Sequence, residues 1–167
     1  MRVLGVDPGG FGALALLTKD GLEVADMPVF MVRRGKSDKP ELDVHSLVEL
    51  LAMWQPDVCY FELVGGMAGQ SAPAAFNFGR AAGACEALVK SCGAKFVSVA
   101  PQKWKRRMGM RVKEQGKDDA RALASNMWPA NAAAGDFKLV KHLDRAEAAL
   151  LAEYGRREEN ISGGIFG

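Results

Sequence analysis

Four carboxylates stand out by their surroundings. Asp7 follows the apolar run Val3-Leu4-Gly5-Val6 and precedes Pro8-Gly9-Gly10. It therefore closes a buried strand where the chain turns at once. A carboxylate on a rigid element with bare backbone beside it suits a metal ligand or a phosphate-facing group. It equally suits an Asx-type turn in which Asp7 bonds its own backbone. Glu62 lies among Tyr60, Phe61, Leu63 and Val64, where a charge is expensive unless it is paired or bound to a cation. A place at the strand's outer edge is the alternative. Asp144 and Glu147 are spaced i, i+3, on one face of a helix, which is also the spacing of a capping box. Taken together, two carboxylates at strand ends and two on a helix form a set able to hold two divalent cations about 4 Å apart. Such a pair activates water on one side of a phosphodiester and stabilises the leaving oxygen on the other. Oxygen ligands favour Mg²⁺, with Mn²⁺ as an alternative, over zinc.

The elements that must position these groups read as an alternation of strands and helices. Val3–Val6, Phe11–Leu17 and Leu22–Met27 read as a three-stranded antiparallel meander, with Asp20-Gly21 as a hairpin signal. The stretch 33–40 is charged and punctuated by Gly35 and Pro40, and reads as a loop. Asp43 caps a helix whose apolar positions Val44, Leu47, Val48, Leu51 and Trp54 follow the helical period. Val58–Leu63 then enters as a strand parallel to the first. A helix over 74–92, rich in Ala and Gly, is closed by Gly93. Lys95–Val99 is a third parallel strand. Helices are expected over 102–108, 118–127 and 145–156, with 130–135 as a loop. The pattern is that of one α/β domain over residues 1–167, a five-stranded mixed sheet flanked by helices.

Composition sets the bounds. The chain has 167 residues, 49% hydrophobic and 25% charged, which is ordinary for a soluble globular protein. No apolar run reaches the roughly 18 residues a membrane span requires. The chain enters its first strand without a signal-peptide pattern. Cys59, Cys85 and Cys92 lack metal-ligand spacing and read as reduced thiols of a cytoplasmic protein. A net charge of +2 says little. Its distribution says more: Lys103, Lys105, Arg106, Arg107, Arg111 and Lys113 fall in one window free of acidic residues, a pattern suited to phosphate contacts.

An ordered set of motifs resembles the RuvC-type Holliday junction resolvases of the ribonuclease H-like superfamily. It comprises Val-Asp-Pro-Gly-Gly at 6–10, Phe-Glu at 61–62, Phe-Gly-Arg-Ala-Ala-Gly at 78–83, Val-Ala-Pro-Gln-Lys-Trp-Lys at 99–105, Lys-Asp-Asp-Ala-Arg at 117–121 and His-Leu-Asp-Arg-Ala-Glu-Ala at 142–148. The likeness spans nearly the whole chain and is nearest to the phage and organellar branch. It implies a ribonuclease H-like fold and a homodimer; the small residues of the 74–92 helix could be core alone or let two copies approach closely there. It also implies paired nicking of four-way DNA junctions with two Mg²⁺ per site. By position it makes Asp7, Glu62, Asp144 and Glu147 metal ligands, and puts Lys105 and Lys117 near the cleaved strand. Glu147 departs from the aspartate usual in the bacterial enzymes. The loop after Glu62 offers Met67 where an aromatic is usual.

For single lysines a solvated surface position is the simple alternative. Trp54, Trp104 and Trp128 read as packing residues. His142 reads as a surface residue at a helix entry, or as a proton-transfer group. Arg33, Arg34, Lys36 and Lys39 would make a second DNA-facing loop. Three other classes compete. A phosphotransferase of the sugar-kinase type opens on a similar strand but needs a second lobe. A non-catalytic DNA-binding module would leave four carboxylates without a role. An RNA-processing nuclease of the same fold shares the phosphate contacts.

Overall fold

The computed structural model describes residues 1–8, 11–35, 37–66, 69–110 and 116–164, with the side chains of 37, 116–118 and 163–164 left aside. The Gly9-Gly10 turn, Lys36, Met67, Arg111, Lys113 and the Lys117 side chain lie outside what is described.

Among the described residues, seven strands and six helices follow in the order β1 (Val3–Asp7), β2 (Ala13–Leu17), β3 (Leu22–Asp26), β4 (Val29–Arg34), β5 (Ser37–Leu42), α1 (Val44–Trp54), β6 (Val58–Glu62), α2 (Ala72–Ser91), β7 (Lys95–Val99), α3 (Pro101–Arg107), α4 (Gly116–Met127), α5 (Pro129–Ala134) and, after a 3₁₀ turn at Val140–His142, α6 (Leu143–Gly164). The main sheet has the order β3-β2-β1-β6-β7. Its first three strands are antiparallel, and β6 and β7 run parallel to β1. This is the ribonuclease H-like arrangement, an antiparallel meander extended by parallel strands.

The strands β1, β2 and β6 are buried along their whole length, which explains their near-continuous apolar sequence. Leu4, Val6, Leu14, Leu16, Cys59 and Phe61 pack with Leu47, Leu51 and Trp54 of α1 and Cys85 and Val89 of α2. The alternate residues Val3, Ala13, Ala15, Val58 and Tyr60 face α6, through Ala148, Leu151 and Ala152, and the α3–α4 side. Helix α6 is buried all round from Ala148 to Gly155, because the sheet covers one side and α4 the other.

Two glycines set how closely α6 lies on the sheet. A Cβ on Gly5 would stand 2.1 Å from the carbonyl oxygen of Ala148 and 2.6 Å from the amide of Ala152. A Cβ on Gly155 would stand 2.3 Å from the Tyr60 ring.

Three sequence expectations are corrected. Residues 33–34 and 37–40 lie in strands rather than a loop: β4 and β5 form a separate two-stranded antiparallel sheet. Cross-strand Arg33–Asp38 and Arg34–Glu41 pairs hold it extended, and Pro40 is tolerated on an edge strand. Residues 130–135 are mostly helical, since Pro129 opens α5 as proline readily does at a first helical position. The last helix runs from Leu143 to Gly164, longer than the apolar period alone suggested, because it ends in a charged turn outside the core. Asp43 caps α1, accepting from the Ser46 amide at 3.2 Å, and Gly93 takes the left-handed conformation (φ +87°) after α2, both as read from the sequence. Cys59 and Cys85 are buried and Cys92 is half-buried, all as free thiols. No described helix is long and apolar enough to cross a membrane.

Candidate metal centre

Strand pairing alone brings the first two carboxylates together. Val6 pairs with Phe61 in the parallel β1–β6 ladder, and Asp7 and Glu62 are the next residue of each strand. By alternation both follow Val3, Gly5, Val58 and Tyr60 onto the face covered by α6. Gly5 admits α6 to contact distance, and the first turns of that helix carry Glu147 to the same strand ends. Arg145 fixes this end of α6, bonding Asp26 at the end of β3 through Nε (2.5 Å) and Nη2 (2.6 Å).

The outcome is a compact triad. One carboxylate oxygen from each of Asp7, Glu62 and Glu147 lies within 4.8 Å of the others. Asp7 and Glu62 are buried, at 7% and 6% exposure. Asp144 stands outside that triad among the described residues, one helical turn before Glu147 and close enough to feel its charge. The capping-box reading of this pair is not realised, because Asp144 already lies inside the helix.

Like charge and burial strain the group. Burial is the largest influence raising the Glu62 carboxyl above its ordinary value, reinforced by Glu147 and Asp144; Lys105 and a hydrogen bond from Trp104 oppose it. Asp144 is likewise raised, by burial first and then by Glu147 and Asp26, against Lys105. A set of hard oxygens that holds its charge at such cost fits a divalent cation of the Mg²⁺ or Mn²⁺ kind. The Lys105 ammonium supports that fit by lying among the same oxygens, 2.7 Å from Glu147 Oε1 and 4.0 Å from Glu62 Oε1.

Sequence reading missed the tryptophan in this site. Trp104 is indeed core, at 0% exposure, yet its Nε1 donates to Glu62 Oε1 at 3.0 Å. The one available signal was the chemistry of indole itself, a buried donor that needs an acceptor. His142 is buried rather than on the surface, and its Nδ1 accepts from the Leu139 amide at 3.3 Å. It thereby closes the 3₁₀ turn that leads into α6. Trp54 is buried, and Trp128 packs on Phe137 with ring centroids 6.4 Å apart.

Of the basic window, Lys103, Arg106 and Arg107 are exposed along α3, and Arg107 reaches Glu158 at 3.7 Å. Lys105 turns inward instead. In the β4–β5 sheet, Arg33 pairs with Asp38, and Arg34 and Arg80 share Glu41, so these arginines are engaged within the protein.

The chain thus combines a ribonuclease H-like sheet with carboxylates gathered at its strand ends. Among solved structures, the chain is similar to Thermus thermophilus RuvC in complex with Holliday junction substrate, at 16% identity over 95% of this chain and 96% of that one (TM-score 0.58). It is similar to Thermus thermophilus RuvC at 17% identity, over 95% and 97% (TM-score 0.54). It also resembles the yeast mitochondrial Holliday junction resolvase Ydc2 at 16% identity, over 93% and 78% (TM-score 0.51). No protein-family model and no curated protein matches the sequence. The particular fold of this chain is that of RuvC.

Proposed function

We propose that the chain is a Mg²⁺-dependent, structure-selective endodeoxyribonuclease that resolves four-way or otherwise branched DNA by paired symmetric nicks. The observation that carries this reading is the buried Asp7–Glu62–Glu147 triad at the strand ends, on a fold shared with junction resolvases. Asp7, Glu62 and Glu147, with Asp144 beside them, would hold the ions. Bound there, two divalent ions supply an activated water and neutralise the leaving oxygen. Lys105, seated at the triad, and Lys117 serve the scissile phosphate and its developing charge. Lys103, Arg106, Arg107, Arg111 and Lys113 contact flanking phosphates and position the DNA without reading its sequence.

Two symmetric cuts call for two sites related by a two-fold axis, and helix α2 suits the dimer contact. Phe76 on it is 70% exposed. Among the described residues Gly79 and Gly83 have nothing within 4 Å of an added Cβ, so no described neighbour in one copy requires glycine there, although each costs the helix about 1 kcal/mol. Close approach of a second α2 gives both a reason. The chain works as one nuclease domain in the cytoplasm of a bacterial or phage-infected cell.

The test is a panel of labelled four-way junction, linear duplex and RNA–DNA hybrid, each with and without Mg²⁺. Paired nicks confined to the junction are expected. Preference for the hybrid would instead identify an RNA-processing nuclease, and binding without cleavage a junction-binding module.

A further inference from the structure

We infer that helix α3 keeps the acidic site assembled ahead of any metal, with Lys105 as a built-in counter-cation that a divalent ion must displace and Trp104 as the positioning residue that holds Glu62 during the exchange. This rests on reading the carboxylates as metal ligands, but not on the identity of the nucleic-acid substrate.

Consecutive residues of one short helix grip two different ligands. Trp104 is wholly buried, packed in the same core cluster as Met108, Ala120 and Ala124, and cannot turn its indole elsewhere. Its N–H donates to Glu62 Oε1 at 3.0 Å. That bond pins the carboxylate by one of its two oxygens.

Lys105 is the opposite case. Its side chain keeps 20% exposure, and its ammonium lies 5.2 Å from the centroid of the Trp104 ring, so the indole also guides the lysine stem. The ammonium donates to Glu147 Oε1 at 2.7 Å and brings a positive charge to 4.0 Å from Glu62 Oε1, offsetting the repulsion between these two carboxylates. A divalent ion brings twice that charge to the same oxygens. The ammonium and the ion repel, Glu147 is given up to the ion, and the flexible lysine swings outward. It then joins Lys103 and Arg106 on the exposed side of α3, where a phosphate would meet it. Metal entry and phosphate capture are thereby linked through one side chain.

Calorimetric titration of the full chain with Mn²⁺, in the absence of DNA, separates the two roles. Lys105→Met keeps the stem and removes the charge; it should bind Mn²⁺ several-fold tighter than wild type while melting lower without metal. Lys105→Arg keeps the charge and should stay near the wild-type affinity. Trp104→Phe keeps most of the packing and removes the donor; it should bind Mn²⁺ about tenfold more weakly, the usual scale for losing an outer-sphere partner. A merely structural role for either residue would lower the melting temperature without moving affinity in opposite directions. The inference is overturned if Lys105→Met binds Mn²⁺ no more tightly than wild type, or if a folded Trp104→Phe binds it equally well. Should Trp104→Phe not fold, the two Lys105 variants decide alone. Wild type that takes up no Mn²⁺ overturns both this inference and the metal reading of the site. Wild type that binds Mn²⁺ yet leaves every junction intact defeats only the assignment of substrate.

Discussion

A glutamate inside an apolar strand is explained by what it touches, and Glu62 touches an indole donor, an ammonium and other carboxylates. The same crowding acts on Asp144, whose carboxyl is raised by burial and by Glu147. The sign of the effect on stability follows. A carboxyl raised in the folded state binds its proton more tightly there, so its favourable contribution is present below the ordinary value of 3.8 and is lost as pH rises through the folded value. Metal-free Asp144→Asn is therefore expected to melt above wild type at neutral pH, with the gap closing as the buffer is acidified through the folded value towards 3.8. Melting curves across pH check this, and a wild type more stable than the variant at neutral pH would contradict it. The meeting of Asp7, Glu62 and Glu147 was legible because the first two interrupt apolar strands and the third is spaced i, i+3 from Asp144 on one helix face. The Trp104–Glu62 bond was not, since it joins positions 42 residues apart and a tryptophan at helical spacing reads simply as core.

At the scale of elements, the seating of α6 on β1 decides whether Glu147 reaches the strand ends. Gly5→Ala puts a methyl 2.1 Å from a backbone oxygen that cannot move without shifting the helix. It is expected to cost about 3 kcal/mol or more, measured by urea unfolding. A near-neutral Gly5→Ala would show that α6 is free to adjust. The five-stranded sheet, α1, and the α2 helix were readable from apolar periods and caps. The β4–β5 sheet was hidden because its partner strand is polar and is held by cross-strand ion pairs rather than by apolar alternation. Helix α5 was hidden because Pro129, Asn131 and Gly135 carry turn signals around four alanines. Neither miss touches the site, whose two strands and helix lie in the apolar part of the fold.

At the scale of the whole molecule, an acidic cluster and a basic helix lie side by side, so under the proposed function metal and nucleic acid would be bound by neighbouring surfaces of opposite charge. Junction binding is expected to weaken steeply with salt. Lys103→Ala with Arg106→Ala is expected to flatten the logarithmic salt slope by about 1 for each phosphate the variant leaves unneutralised. Binding indifferent to salt would remove this role from α3. The dimer is tested by light scattering: Phe76→Asp on the exposed face of α2 is expected to give a monomer that no longer makes paired cuts, and an unchanged dimer would place the two-fold contact elsewhere. The central claim is that the carboxylates gathered at the strand ends hydrolyse branched DNA. The most direct measurement is cleavage of one labelled four-way junction by wild type and by Asp7→Asn in Mg²⁺. Wild type is predicted to make paired nicks, and the variant to show only background cleavage with junction binding retained. Equal cleavage by Asp7→Asn, or none by wild type, would contradict the claim.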